Sequence, residues 1–161
     1  MKKIFCIAFA FLMVSASLAF ALEAALFDVR NNIFKEAQTI KPLMATSKDM
    51  ILLSSMWDSC IMTITQLDAY FSLVGIFNEI SEKNVTEKIV QYLVDWLVTV
   101  KATNELNIKG LEAITQTIEP KTKVHVEILK AHFTSLNKRL DSEMEKVAAL
   151  KITSKKPASK K

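Results

Sequence analysis

The sequence contains very little glycine, proline or cysteine. Its 161 residues include two glycines, three prolines and two cysteines. A sheet-rich fold needs turn residues about every 8–12 positions, so this scarcity argues against sheets and favours long helices joined by short turns. The two glycines, Gly75 and Gly110, are far apart, which excludes a glycine-rich loop for binding phosphate.

Cysteine is scarce enough to exclude whole classes of site. Cys6 lies in the apolar N-terminal run, so a processed chain would keep only Cys60. One cysteine cannot form an intrachain disulfide, and it excludes the Cys-x-x-Cys-His attachment of a c-type haem. Because Cys60 falls on an apolar helix seam, we expect a buried, unreactive thiol.

The N-terminus has the three parts of a secretory signal peptide. Lys2 and Lys3 precede an apolar run over 4–14, and an A-x-A triplet ends at Ala21. This pattern predicts a signal peptide over 1–21, with cleavage after Ala19 as the second choice. The alternative is an uncleaved anchor, because the apolar stretch is barely long enough to span a bilayer. The terse lysine start is of a bacterial type, so we expect export to the periplasm or the extracellular space.

Charge is unevenly distributed along the chain. Without Lys2 and Lys3 there are 19 basic and 17 acidic residues, but residues 151–161 hold five of the lysines and no acid. The body over 22–150 therefore carries a net charge of −3, which argues against specific nucleic-acid binding. We expect 151–161 to form a disordered basic tail. Two interpretations of this tail stay open, a solubilising segment and a segment that makes weak contact with anionic lipid or another polyanion.

Apolar residues recur at steps of three and four, which is the period of a helix. Four such seams predict an all-α fold, an antiparallel bundle of about four helices over 22–41, 47–81, 85–118 and 121–151, which forms one domain over 22–150. The clearest seams are Leu26, Val29, Ile33, Ala37 and Ile40; Leu53, Trp57, Cys60, Ile64, Leu67, Phe71 and Val74; and Val126, Leu129, Phe133, Leu136, Leu140, Met144 and Val147.

The third predicted helix has two polar residues at seam positions. Asn104 and Asn107 lie where apolar residues are expected, and Gly110 follows closely. The pattern favours a local break with Gly110 as a helix end. The other interpretation is a buried polar layer that fixes the register of the helices or lines a small polar pocket.

Side chains capable of chemistry do not converge into any recognisable site. His125 and His132 lie seven residues apart, and no Glu-x-x-His pair for a di-iron site is present. Asp141, Glu143 and Glu145 lie among the basic residues Lys138, Arg139 and Lys146, which predicts a solvated charged face. We therefore predict a non-enzymatic protein with no catalytic residues, metal or cofactor, and an enzyme or metalloprotein using the histidines is the weakest alternative.

The second helix is unusually apolar. From Met50 to Phe77, 18 of 28 residues are apolar and only Asp58 and Asp68 are charged. A helix that is hydrophobic nearly all round is central, membrane-embedded or part of an interface.

Two functions follow from this apolar helix. The sequence favours protein–protein contact or self-association, with a surface that includes Met56, Tyr70 and Phe77. The alternative is a carrier of a lipid or other small apolar ligand, in a pocket formed by Trp57, Phe71, Trp96 and Phe133.

Overall fold

The computed structural model describes residues 24–79 and 87–153. Within these residues there are four helices and no strand: α1 over 24–43, α2 Met50–Glu79, α3 Glu87–Glu112 and α4 Pro120–Thr153. The prediction of an all-α, four-helix fold is confirmed. The predicted signal peptide over 1–21 lies outside the described residues, as does the predicted tail from residue 154 onwards.

Each helix runs antiparallel to the next one along the chain. On the α2–α3 pair, Thr63 contacts Asn107 and Gln66 contacts Thr103, so higher numbers on one helix meet lower numbers on the other. Polar contacts then connect the helices in a ring. They are Arg30–Asp68 between α1 and α2, Gln66–Thr103 between α2 and α3, Lys101–Asp141 between α3 and α4, and Glu36–His125 between α4 and α1.

The core is built from one apolar seam on each helix. The α1 seam is buried as predicted from Leu26 to Ile40, and Phe133 on α4 is fully buried with no exposed side-chain surface. Removing a side chain of that size from water stabilises the fold by about 1.5–3 kcal/mol. The seams therefore supply the main stabilisation of the bundle. The core residues that form them on α1, α3 and α4 include Leu26, Val29, Ile33, Ile40, Val90, Leu93, Leu97, Val100, Val126, Leu129, Phe133, Leu136 and Leu140.

Helices α2 and α4 begin side by side and cap each other. The carboxylate of Asp49, just before α2, accepts a hydrogen bond from the backbone N–H of Glu119, just before α4, at 2.7 Å. Ser47 Oγ donates to Glu119 Oε2 at 2.6 Å and accepts from the Asp49 N–H at 3.0 Å. Both carboxylates lie where the partial positive charge of a helix N-terminus favours them. Because Ser47 takes part in these hydrogen bonds before the helix, α2 begins at Met50 and not at the predicted residue 47.

The predicted break in α3 is wrong. The helix is continuous from Glu87 to Glu112, through Asn104, Asn107 and Gly110, and it ends six residues before the predicted 118. Asn104 is fully buried, and its side-chain nitrogen donates to the Phe133 carbonyl and to Asn137 Oδ1, both at 2.7 Å. The buried polar layer, the alternative interpretation, is therefore the arrangement found. It keeps the helix intact because the amide finds partners on α4.

One described segment, Met50–Phe77, is long and apolar enough to span a membrane by length and composition alone. In the bundle this segment makes up most of α2. Its core side buries large side chains such as Leu53, Leu67 and Tyr70. A central helix of a bundle has the same length and composition, so the feature does not by itself indicate a membrane span.

Candidate interaction surface

The predicted surface residues on α2 do not lie together at the surface. Met56 is 2% exposed and Tyr70 is 0% exposed, so both belong to the core. Phe77 is partly buried and packs against the core from its edge. The expectation that Met56 and Tyr70 are surface residues is wrong, and of the three only Phe77 is placed near solvent.

The physical reason is a rotation of α2 about its own axis. The predicted seam residues Leu53, Cys60, Ile64 and Leu67 are buried. Trp57 and Phe71 of the same seam are only partly buried, and Met56, Thr63 and Tyr70 take their place on the buried face. A helix that is apolar nearly all round has no sharp boundary between its core and solvent sides. The pattern therefore could not fix which apolar stripe faces inwards.

Tyr70 is held in the core by a hydrogen bond that the sequence did not indicate. Its hydroxyl donates to Glu143 Oε1 on α4 at 2.8 Å. Glu143 is only 3% exposed, so its predicted place on a solvated charged face is wrong. Asp141, by contrast, is exposed and pairs with Lys101 at 2.6 Å. Burying the Tyr70 hydroxyl is tolerable because a buried polar group with a partner avoids most of its desolvation cost.

Other apolar side chains of α2 do reach solvent. Ile51 is 82% exposed, Met62 is 44% exposed and Ile76 is 56% exposed. On the neighbouring helix α3, Leu106 is 67% exposed and Tyr92 is 50% exposed. These positions, and not the predicted ones, are candidates for contact with another molecule.

Many of these side chains belong to one surface, which we call the α2–α3 face. It consists of the outer stripes of the two helices on the side where they meet. The stripe on α2 contains Ser55, Ser59, Met62, Gln66, Leu73 and Phe77, and the stripe on α3 contains Tyr92, Trp96, Thr99, Thr103 and Leu106. Within each stripe the steps are mostly three or four residues, so each lies along one side of its helix.

Hydrogen bonds fix the groove between these two stripes. Gln66 Nε2 donates to Thr103 Oγ1 at 3.4 Å, and Trp96 Nε1 donates to the backbone carbonyl of Gln66 at 3.1 Å. The rings of Trp96 and Tyr92 lie next to each other, with centroids 6.4 Å apart. The contact line between α2 and α3 is therefore held by hydrogen bonds, and apolar side chains lie on either side of it.

None of the side chains assigned to the α2–α3 face is charged, and the exposed carboxylates Asp58 and Asp95 border it at its outer edges, one helical turn from Met62 and Tyr92. The other sides of the bundle differ. Between α1 and α2, Arg30 forms a bidentate pair with Asp68, and its guanidinium pKa is raised, mainly by the hydrogen bond to Asp68. Between α3 and α4, Lys101 pairs with Asp141. Depletion of charge together with exposed Met and Tyr side chains is typical of the central part of a protein interface.

The histidines are placed in two different settings. His125 Nδ1 lies 2.5 Å from Glu36 Oε1, and both side chains are largely buried between α4 and α1. His132 is partly exposed further along α4. Among the described residues, no three His, Cys, Asp or Glu side chains come together in a group that could hold a metal ion. The pair with Glu36 therefore acts as a contact between two helices.

Cys60 is fully buried on α2. Burial raises the pKa of its thiol to about 12, and the negative charge of nearby Glu36 adds to this rise. A thiol with such a raised pKa is almost entirely protonated near neutral pH, and the thiolate is the reactive form. Cys60 is thus a packing residue, in agreement with its expected burial.

The four residues of the predicted ligand pocket are not brought together. Trp57 lies on the α1 side of α2, where the amine of Lys41 sits 5.8 Å from its ring centroid. Trp96, a residue of α3, lies on the opposite side of α2, where its Nε1 donates a hydrogen bond to the backbone carbonyl of Gln66. Phe71 contacts Phe27 of α1, and Phe133 is buried in the core. A cleft at the end of the bundle is lined instead by Leu43, Leu53, Glu119 and Thr122, among others.

Comparison of the chain with protein-family models, with curated proteins and with solved structures finds no significant match.

Proposed function

We propose that this chain is an exported, non-enzymatic helical module that works by protein–protein contact through its α2–α3 face. The observation that carries the proposal is the absence of charge among the residues that form this surface on two helices, with Met62 and Leu106 exposed on it. Covering these side chains with another molecule is favourable, because it removes apolar surface from water.

Export supports a contact function and depends on the signal-peptide pattern at the N-terminus. A protein outside the cytoplasm meets partners without the reducing conditions and nucleotide pools of the cell interior. With one buried thiol, the described part of the chain takes its stability from the apolar core and not from a disulfide.

The test is to isolate the mature protein from its own compartment and measure its native mass. We expect a mass that includes a second polypeptide, which is lost in the variant Met62→Glu because an unpaired charge would be buried in the contact. Val124→Glu is the matched control, since Val124 is 56% exposed on α4, away from the α2–α3 face.

The same measurement separates the alternative function. A carrier of a lipid or other small apolar ligand would have the mass of one chain plus a ligand of low molecular weight. No bound polypeptide in the wild type, or a bound polypeptide that survives Met62→Glu, would contradict the proposed contact through this face.

A further inference from the structure

We propose that the partner that fits the α2–α3 face is a second copy of this chain, arranged so that α2 of each copy lies against α3 of the other. This inference rests on the proposed function, because it names the molecule that covers the same surface. It follows from the area of the face and from the way its apolar residues match between the two helices.

The area of the face is enough for a small, reversible dimer contact. Its α2 stripe runs from Ser55 to Phe77 and its α3 stripe from Tyr92 to Leu106, which is about 33 Å and about 21 Å at 1.5 Å per residue, and each helix is about 10 Å wide. Each copy therefore offers about 540 Å². Two such faces bury about 1,100 Å² in total, just above the roughly 1,000 Å² that a specific interface needs and in the range of weak, transient contacts.

The apolar residues of the face, of which Met62, Tyr92 and Leu106 are exposed and Leu73, Phe77 and Trp96 are partly buried, form layers at matching heights on the two helices. The contacts Thr63–Asn107 and Gln66–Thr103 show which positions on α2 and α3 are level with each other. By that register, Met62 is level with Leu106. Further along the bundle, Leu73 is level with Trp96 and Phe77 is close to the level of Tyr92. The surface between these layers is formed by short or uncharged polar side chains.

This matching makes the face complementary to itself about one particular axis. A twofold axis that lies in the contact plane and crosses the helices would place each helix against its own reversed copy. A twofold axis that lies in the plane and runs parallel to the helices instead exchanges α2 and α3 while keeping every residue at its own height. Met62 of one copy then lies against Leu106 of the other, and Leu73 against Trp96. Apolar layers meet apolar layers, and α2 packs antiparallel to the α3 that it contacts. An isologous contact of this kind closes as a dimer and cannot grow into a filament.

The experiment uses the purified mature chain alone, studied by sedimentation over a range of concentrations. We expect a dimer that dissociates on dilution. Met62→Glu and Leu106→Lys should each weaken the dimer by about 100-fold or more, because each homodimer would bury two unpaired charges. Val124→Glu should leave the dissociation constant of the dimer unchanged.

The decisive sample is an equal mixture of the Met62→Glu and Leu106→Lys chains. In the proposed arrangement a mixed dimer places the introduced glutamate opposite the introduced lysine, while the second contact keeps the original pair of Met62 and Leu106. The mixture should therefore regain most of the lost affinity, although neither variant dimerises alone. Circular dichroism of each variant checks that the monomer remains folded.

The outcomes separate this inference from the proposed function. A wild-type chain that stays monomeric when pure, but carries a different polypeptide when isolated from its compartment, would overturn the dimer and keep the contact function. A dimer whose mixture of variants shows no recovery would overturn the α2-against-α3 arrangement. A monomer that carries no polypeptide in either preparation would overturn both.

Discussion

At the scale of single residues, Asn104 is the clearest case of a polar side chain that specifies the fold. It is fully buried and donates to the Phe133 carbonyl and to Asn137, yet its own Oδ1 has no hydrogen-bond partner. The donor bonds lock the height of α3 against α4, because a shift by one turn would leave the buried amide without acceptors. Buried polar residues fix the register of helical assemblies in this way, at some cost in stability.

Replacing Asn104 should therefore lower the stability of the bundle. Asn104→Ala should lower the free energy of unfolding by about 1–3 kcal/mol, because a cavity forms and Asn137 loses its partner. Urea unfolding measures this, with the exposed Asn32→Ala as a control expected within about 0.5 kcal/mol of the wild type. A loss at Asn104 no larger than at Asn32 would contradict the role assigned to it.

Cys60 gives a prediction about pH. Its pKa is raised to about 12 from an ordinary value of 9.0, so the folded state binds the thiol proton more tightly than the unfolded state does. This contribution to stability is fully present below about pH 9 and is lost as pH rises from 9 towards 12. The wild type should thus lose stability more steeply than Cys60→Ala over that window, measured by urea unfolding at a series of pH values.

A maleimide provides an independent measurement on the same residue. The native protein should resist labelling at neutral pH, and the unfolded protein should react at once, because reaction needs an accessible thiolate. Rapid labelling of the folded chain would show that Cys60 is not the buried packing residue described above.

At the scale of helices, both glycines lie inside helices and not at their ends. Gly75 lies within α2 and Gly110 within α3, neither has a positive φ angle, and a Cβ atom added at either position would meet nothing within 4 Å. The conformational freedom that makes glycine useful in turns is therefore unused here. It only adds to the entropy that the chain loses on folding.

The variant Gly75→Ala should consequently stabilise the bundle. The expected gain is about 0.5–1 kcal/mol, the usual difference between alanine and glycine inside a helix. Gly110→Ala should gain less, because Gly110 is two residues from the end of α3, where helices fray. Thermal unfolding should show the larger rise in melting temperature for Gly75→Ala, and a fall would mean that the glycine is required for a close contact.

At the scale of the whole molecule, the bundle matches the role proposed for it. In the part of the chain that the structure describes, ion pairs join α1 to α2 and α3 to α4, and the contact of His125 with Glu36 joins α4 to α1. The side chains assigned to the α2–α3 face are uncharged. A dimer through that face would cover the exposed Met62 and Leu106 and leave the charged sides in water. The basic tail was predicted to begin at residue 151, but α4 continues to Thr153 and so includes the first three residues of the predicted tail.

Export predicts which residue begins the mature chain, and the mass of the purified protein tests this. Protein recovered from outside the cytoplasm should begin at Leu22, or at Phe20 if the second site is used, because the small residues before each position suit signal peptidase. Mass spectrometry of the intact protein distinguishes the two. A chain that keeps Met1 and stays in the membrane fraction would establish the anchor instead, and the proposed export would then be incomplete.

The fold class, the number of helices and most of the core could be predicted from the order of the amino acids. The buried sides of α1, α3 and α4 could be predicted because apolar residues recur there at the helical period and the residues between them are mostly polar. One side of each helix is therefore clearly apolar. The fourth helix was predicted to begin at residue 121, and it begins one residue earlier, at Pro120. Local physical chemistry was sufficient for these features, since each depends only on residues close in sequence.

The rotation of α2, the continuity of α3 and the burial of Glu143 were set by packing between helices. In α2 the apolar residues, 18 of the 28 from Met50 to Phe77, lie on nearly every side of the helix, so the choice between Met56 and Trp57 for the core depends on the shapes of the three neighbouring helices. Asn104 and Glu143 resemble surface or helix-breaking residues until the Phe133 carbonyl and the Tyr70 hydroxyl are brought to them from other helices. Because those partners are 29 and 73 residues away along the chain, no local pattern could indicate them. The uncharged α2–α3 face likewise exists only because two separate stripes are packed side by side.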